Sequence, residues 1–375
     1  MTRCLERHRH PEKIPTGLDE EKKSNVDNKG NILLALVLTL AILLGWPYIS
    51  KRFLPQPEPA ATQSAPANAP ATPNAGNNGQ PTTTVQGTAQ GTAQGNAAPV
   101  ASAGGANRSI AAALQDSPRI RIDTPRLRGT IALKGARIND IVLPTYRQTI
   151  AKDSPPVRLF APSGTQHAYF ASFGWSGAGL KLPDANTLWT ADRATLTPQT
   201  PVTLSWNNGE GQTFRIRLSV DENYMLSIDQ SVVNAGKAAV DVRPYGYISR
   251  RGPSQDVSTW TIHPCPIGVF DGSADYSIDY KTLNKKGTQH FKTTGGWIGF
   301  TDKYWHSALI PAQNLPVSAE FRTGGPELYQ ADMSYASKHL APGQSTSTAS
   351  RLFVGAKETH VLEQYTNQGG VELFD

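Results

Sequence analysis

The stretch TFRIRLSVDENYMLSIDQSVVNAG, residues 213–236, decides the fold class. Apolar side chains occupy every second position over residues 214–220, and the alternation returns over residues 226–232 after a polar turn. A period of two places the apolar side chains on one face of a strand. Two such runs joined by a short polar turn predict a β-hairpin with one buried face.

Similar short runs, separated by turn residues and without amphipathic helices between them, continue on both sides of this hairpin. A dozen or more strands at this spacing predict a mainly β protein, a large antiparallel sandwich of two packed sheets. The further predicted strands are residues 120–122, 127–133, 138–143, 169–175, 202–206, 240–247, 276–280, 297–300, 306–310, 317–321 and 346–354.

After the last predicted strand the sequence changes to AKETHVLEQYTNQGG. Val361, Leu362 and Tyr365 share one face at helical spacing, and Gly369 with Gly370 provides a stop signal. This pattern predicts a short amphipathic helix. Its apolar face has two interpretations: it packs on the sandwich, or it belongs to an interaction helix that couples the domain to the membrane face.

One long apolar run, ILLALVLTLAILLGWPYI at residues 32–49, carries no charge. As a helix it is about 27 Å long, which is enough to cross the hydrocarbon core of a bilayer. The competing interpretation is a cleaved signal peptide. Bulky Trp46 and Tyr48 stand where small residues should precede cleavage, and they suit a membrane interface, so we favour an anchor. Lysines are more frequent before the run than after it, which predicts a cytoplasmic N terminus and an exported remainder.

The segment after the apolar run consists mainly of Pro, Ala, Thr, Gln, Asn and Gly, with a short QGTA repeat. It has too few large apolar side chains to offset the entropy of ordering, so we expect a disordered tether. The predicted organisation is a cytoplasmic tail at 1–31, a transmembrane helix at 32–49, a linker at 50–107, an exported β-domain at 108–355 and a C-terminal helix and junction at 356–375.

The composition excludes several classes of protein. The 375 residues carry a net charge of +6, but no run of Lys and Arg with interleaved aromatic residues occurs, so we expect no nucleic-acid partner. The single apolar run argues against a polytopic membrane protein. Cys4 and Cys265 lie on opposite sides of that run, so no disulfide is expected between them.

The sequence predicts no catalytic, cofactor or metal site. The β-domain contains histidines and many carboxylates, but no spacing selects an acid–base pair. Cys4 with two nearby histidines supplies too few metal ligands. His263 beside Cys265 is interpreted as loop structure, and the large aromatic residues Trp297, Tyr304 and Trp305 are interpreted as core rather than as the lining of a ligand cleft.

The stretch GGWIGFTDKYWHSALIP, residues 295–311, resembles a signature of the YidC membrane protein insertase family of Gram-negative bacteria. DNKGN at residues 27–31, directly before the apolar run, and RLFVGAKE at residues 351–358 resemble other segments of that family, as does the order of anchor, linker and β-domain. The residues that carry the signature are Gly295, Gly296, Trp297, Tyr304, Trp305, Ala308, Ile310 and Pro311.

The resemblance implies a β-supersandwich related to sugar mutarotases, closed by a C-terminal helix. It also implies a periplasmic domain of an inner-membrane protein that inserts and folds other membrane proteins, alone or with the Sec translocon. The implied partners are the translocon and its accessory subunits, nascent inner-membrane proteins, and membrane lipid around one helix. The family's further membrane helices would follow the last residue of this sequence.

An alternative function stays open at this point: an exported carbohydrate-binding or mutarotase-like sandwich. That function predicts histidine and glutamate side chains brought together in one concave site. Fold similarity by itself does not decide between the two.

Overall fold

A computed structural model describes Thr39, Pro99 and residues 108–253, 264–325 and 327–374. Apart from Thr39, these residues belong to one compact unit, Gly87–Asp375. Across these described ranges, no helix is both long enough and apolar enough to cross a membrane. The predicted tail, transmembrane helix and linker lie outside the described residues, except for Thr39 and Pro99.

The described part is built mainly from strands, with three short helices. In chain order the strands are β1 Arg119–Asp123, β2 Arg128–Ala132, β3 Arg137–Arg147, β4 Pro156–Phe160, β5 Tyr169–Ser176, β6 Thr190–Ala191, β7 Thr195–Leu196, β8 Val202–Asn207, β9 Gln212–Val220, β10 Met225–Asn234, β11 Val240–Arg251, β12 Cys265–Phe270, β13 Ser273–Asp275, β14 Gln289–Thr294, β15 Trp297–Thr301, β16 Trp305–Pro311, β17 Pro316–Thr323, β18 Leu328–Ser334, β19 Lys338–Leu340 and β20 Ser345–Ala356. The helices are α1 Ile110–Leu114, α2 Tyr280–Lys286 and α3 Thr359–Asn367.

The strands form two sheets. The eleven-stranded sheet has the order β14–β17–β18–β11–β5–β3–β2–β1–β7, with β4 paired to β3 and β19 to β11. The nine-stranded sheet has the order β13–β12–β15–β16–β20–β10–β9–β8–β6. The pairings between described strands are antiparallel, apart from a short parallel contact between β1 and β7. The mainly β, largely antiparallel architecture is therefore confirmed.

The hairpin predicted at residues 213–236 is β9 and β10. Leu218 lies opposite Ile228, and both side chains are buried, whereas Arg217 and Asp229 face solvent in the next register position. On its other side β10 pairs with β20, which in turn pairs with β16. The hairpin thus lies within the nine-stranded sheet, where one face is covered and one is solvated.

The two sheets bury one shared apolar core. Ile248 and Phe321 from the eleven-stranded sheet and Leu309 and Phe353 from the nine-stranded sheet are completely buried in it. A separate small cluster of Phe170, Tyr245 and Tyr247 is buried elsewhere on the eleven-stranded sheet. The core between two packed sheets confirms the predicted sandwich.

Two local predictions are wrong. The predicted strand at Tyr276–Tyr280 is irregular chain that leads into α2: the Asp279 carboxylate accepts a hydrogen bond of 2.6 Å from the Thr282 amide and caps the helix. Short polar side chains satisfy the backbone there in place of a strand partner. Cys265 is not in a loop, since it begins β12 and is buried as a free thiol. His263 lies outside the described residues.

Candidate functional site

The predicted amphipathic helix is present as α3, and its apolar face points into the domain. Val361, Leu362 and Tyr365 are all buried, with between 1% and 7% of their surface exposed. The first interpretation of this face is therefore correct: it packs on the sandwich. Because these three side chains are buried within the chain itself, a partner of the helix must contact its other side, which carries exposed His360 and Glu363.

The hydroxyl of Tyr365 fixes the helix to the turn of the β9–β10 hairpin. It donates a hydrogen bond of 2.6 Å to Asp221 Oδ2 and accepts one of 3.2 Å from the Tyr224 amide. The other Asp221 oxygen accepts from the amides of Asn223 and Met225. Burial raises the pKa of Asp221, and the hydrogen bond from Tyr365 opposes that rise.

Glu358, directly before α3, joins the helix to both sheets. Its Oε1 atom accepts hydrogen bonds from Arg126 Nη1 and the Tyr224 hydroxyl, both at 2.5 Å, and from the Tyr146 hydroxyl at 2.8 Å. Arg126 and Tyr146 belong to the eleven-stranded side, and Tyr224 to the turn of the β9–β10 hairpin. Burial by itself raises the pKa of Glu358, but these three hydrogen bonds outweigh burial and lower it.

The two glycines of the signature make a turn that no other residue fits. Gly295 and Gly296 have φ angles of +72° and +69°, the left-handed region that L-residues with side chains rarely adopt. A Cβ atom on Gly296 would lie 2.0 Å from the carbonyl oxygen of Val269, and one on Gly295 would lie 2.6 Å from that of Gln313. The glycines therefore allow neighbouring backbone to approach on both sides.

Trp297 contacts the last described residues of the chain. Its indole Nε1 donates a hydrogen bond of 3.0 Å to the Glu372 carbonyl, and its ring contacts Phe374 edge-on at 5.4 Å. His306 lies against the same two rings, 5.0 Å from Trp297 and 5.3 Å from Phe374. Burial, and to a smaller extent the positive charge of Lys357, lower the pKa of His306 to about 3. The imidazole is therefore neutral and part of an aromatic cluster.

The remaining signature residues lie in or directly before β16, which pairs with β20, the strand that precedes α3. The Tyr304 carbonyl accepts a hydrogen bond of 2.9 Å from the Lys357 amide, but its side chain is 55% exposed, so its assignment to the core was wrong. Trp305 packs edge-on against Tyr146 at 5.2 Å. Ala308, Ile310 and Pro311 lie in β16, paired with β20. The signature segment and the C-terminal helix thus form one connected site, which we call the helix junction.

Next to the junction, Trp305 also lines a cavity of about 170 Å³. Its other walls include His167, Tyr169, Arg250 and Asp302. Arg250 Nη1 donates a hydrogen bond of 2.9 Å to Asp302 Oδ1, and both residues are buried. Among the described residues that line the cavity, the one carboxylate is therefore already held by an arginine, and none is free to act with His167. The fold itself does not show catalysis.

Sequence reasoning did not single out Arg126, Tyr146, Asp221, Tyr224 or Glu358. Three of them lie in stretches that the sequence did single out. Asp221 and Tyr224 lie in the hairpin stretch 213–236, and Glu358 ends the stretch 351–358. Polar residues in these stretches, beside buried strands, indicate hydrogen-bonded positions. Arg126 and Tyr146 lie in stretches that carry no comparable signal.

One protein-family model matches most of the described domain. The model of the YidC periplasmic domain matches residues 119–373, which include both sheets and α3. The chain belongs to the YidC periplasmic domain family.

Curated YidC proteins match over a longer stretch. The chain is 39% identical over 350 residues to the membrane protein insertase YidC of Zymomonas mobilis, which covers 92% of this chain and 56% of that protein. It is 45% identical over 258 residues to YidC of Bradyrhizobium diazoefficiens, which covers 67% of this chain and 42% of that protein. The chain thus spans about half the length of these YidC relatives.

Solved structures match part of this chain at low sequence identity and with TM-scores below 0.5. A galactose mutarotase related enzyme from Lactobacillus acidophilus matches with a TM-score of 0.45 and 13% identity, covering 64% of this chain and 99% of that one. A putative aldose 1-epimerase from Escherichia coli matches with a TM-score of 0.41 and 8% identity, covering 64% of this chain and 99% of that one.

Proposed function

We propose that this chain is the anchor and periplasmic portion of a membrane protein insertase that aids insertion and folding of inner-membrane proteins, alone or with the Sec translocon. The match of residues 119–373 to the YidC periplasmic domain carries the proposal. In this proposal residues 1–31 are cytoplasmic, 32–49 cross the inner membrane, 50–107 are the linker, 108–355 form the periplasmic domain and 356–375 lead back towards the membrane.

The domain would act by binding. Its helix junction supports such a role, because Glu358 and Tyr365 hold α3 by charged and neutral hydrogen bonds to residues far away in sequence. A helix fixed at several points passes a displacement at its end to the domain. The exposed side of α3, with His360 and Glu363, is the surface we assign to the translocon or its accessory subunits.

Depletion in cells tests the proposal directly. We expect loss of the intact protein to leave inner-membrane reporter proteins sensitive to protease on the wrong side of the membrane, while an exported soluble reporter is processed normally. Normal insertion of all membrane reporters after depletion would contradict the proposal.

A second experiment tests the assigned surface. A photo-crosslinking residue in place of Glu363, in the intact protein, should capture translocon subunits or nascent membrane proteins. The same residue in place of Asn207, exposed on β8 in the other part of the nine-stranded sheet, serves as the control. Equal capture at both positions would contradict the assignment to α3.

A further inference from the structure

A small basic cavity lies away from the helix junction, where α1 and the loop before β5 approach strands β1 to β3. Its volume is about 130 Å³. Three basic side chains line it, Arg119, Lys134 and Arg137, together with one carboxylate, Asp116. Asp116 is already bonded to Arg108 through both of its oxygens, at 2.5 and 2.7 Å. The walls of the cavity therefore carry an excess of positive charge.

Arg119 is a half-buried cation whose hydrogen bonds to other described residues all go to neutral oxygens. Its Nε atom donates to Thr130 Oγ1 at 2.6 Å, and its Nη2 atom donates to the Thr130 carbonyl and to Asn139 Oδ1. Burial and the positive charge of Arg158 lower the pKa of Arg119 to about 10. An external anion would stabilise a guanidinium in this position, because none of the described groups that accept its hydrogen bonds is charged.

Arg137 also lines the cavity, and its described side-chain contacts likewise include no carboxylate. Its Nη1 atom donates a hydrogen bond of 3.2 Å to Ser163 Oγ, and its guanidinium carbon lies 5.5 Å from the centre of the Phe170 ring. Its Nε atom is buried and has no hydrogen-bond acceptor in the described part of the chain. Within the described ranges, Arg119, Lys134 and Arg137 form no ion pair with a carboxylate.

We propose that this cavity binds a phosphate group, with Arg119 and Arg137 donating hydrogen bonds to its oxygens and Lys134 contributing charge at the rim. Guanidinium groups bind phosphate oxygens in a fixed, often bidentate geometry. The volume is room for roughly four water-sized groups, which suits a phosphate with its four oxygens. A tetrahedral anion can accept donors from several walls at once, whereas a planar carboxylate accepts them mainly in one plane.

The phosphate has two sources with the same chemistry: free inorganic phosphate and the phosphodiester of an anionic lipid head group. Calorimetric titration of the purified full chain, at physiological ionic strength, separates them. The probes are inorganic phosphate, glycerophosphoglycerol as a head group without acyl chains, and acetate as a planar anion. Tighter binding of glycerophosphoglycerol identifies the head group as the ligand, and tighter binding of inorganic phosphate identifies the free ion.

Variants show where the phosphate binds. We expect Arg119→Gln and Arg137→Gln each to weaken phosphate binding at least tenfold, and Lys134→Gln to weaken it about threefold. Lys134 is exposed and its side chain makes no hydrogen bond to another described residue, so we expect its substitution to leave folding intact. Arg215→Gln, at an exposed position on β9, is the matched control and should bind like the unmodified chain. Absence of saturable binding, equal affinity for acetate, or unchanged affinity in all three cavity variants would overturn the proposal.

Discussion

The Tyr224 hydroxyl donates a hydrogen bond of 2.5 Å to Glu358 Oε1, although the two residues are 134 positions apart in the sequence. The same oxygen accepts from Arg126 and Tyr146. Tyr224 belongs to the hairpin turn of one sheet, Tyr146 belongs to β3 of the other sheet, and Arg126 lies in the connection between β1 and β2 of that other sheet. One carboxylate therefore fixes the start of α3 against both layers of the sandwich.

Removal of this carboxylate should destabilise the domain. Glu358→Ala leaves Arg126 and two tyrosine hydroxyls without their shared acceptor in a partly buried position, and we expect a loss of about 3 kcal/mol in the free energy of unfolding. Glu363→Ala, on the exposed side of the same helix, should change it by less than about 0.5 kcal/mol. Urea unfolding measures both, and equal effects of the two substitutions would show that the Glu358 contacts contribute little.

The apolar face of α3 should matter more for function than the linker does. Leu362→Asn places an amide in the core, and we expect it to reduce stability by about 2 to 4 kcal/mol and to impair growth in a complementation assay with the intact protein. Thr88→Asn, in the QGTA repeat, should support normal growth. Equal tolerance of the two changes would contradict this prediction.

His306 should make the domain sensitive to acid. The pKa of His306 is lowered to about 3 from its ordinary 6.5, so between these pH values the unfolded chain binds a proton that the folded chain does not. The contribution of His306 to the free energy of unfolding is therefore fully present above about pH 6.5. It decreases as the pH falls towards 3, by at most about 5 kcal/mol.

The test compares urea unfolding at pH 7 and pH 4. His306→Phe, which keeps an aromatic ring and carries no titratable group, should reduce the difference in stability between the two pH values. His167→Gln, at an exposed position, should leave that difference as it is in the unmodified chain. An unchanged difference in His306→Phe would assign the acid sensitivity to other groups.

The signature glycines should be irreplaceable for steric reasons. Gly296→Ala places a Cβ atom 2.0 Å from a backbone oxygen, so either β12 or β15 must move, and we expect a loss of at least about 3 kcal/mol. Gly287→Ala is the matched control: its φ angle of +74° is similar, but no atom lies within 4 Å of the added Cβ. It should cost only about 1 kcal/mol. Thermal unfolding of both variants distinguishes crowding from backbone strain.

The N terminus of the exported protein tests the anchor. We expect N-terminal sequencing to find the segment before residue 32 still attached, because bulky residues follow the apolar run. A mature N terminus near Ala60 would instead indicate a cleaved signal peptide.

The sequence predicted the strands whose two faces differ. The β9–β10 hairpin alternates because one face meets the core and the other meets solvent, so its elements and its turn were found. The strand β18 was missed because all its residues are buried and its polar Gln330 and Asp332 break the apolar pattern. The edge strand β14 was missed because it consists mostly of polar residues.

The helix junction was predictable only in part. Local spacing was enough to identify the buried face of α3, since helical periodicity is a short-range property. The acceptor role of Glu358 was not, because its partner Arg126 is 232 positions away and no local pattern joins them. The basic cavity likewise depends on Arg119 in β1 and Asn139 in β3, strands on either side of β2 that the sheet order brings together.

The position of β20 has a mechanical consequence. This strand leads into α3 and is bonded on both sides, to β10 over residues 345–353 and to β16 over residues 350–356. Interstrand hydrogen bonds lie perpendicular to the strands. A pull on the chain after Ala356, directed along β20, would therefore load both ladders in shear, with all their bonds sharing the force, instead of opening them one after another.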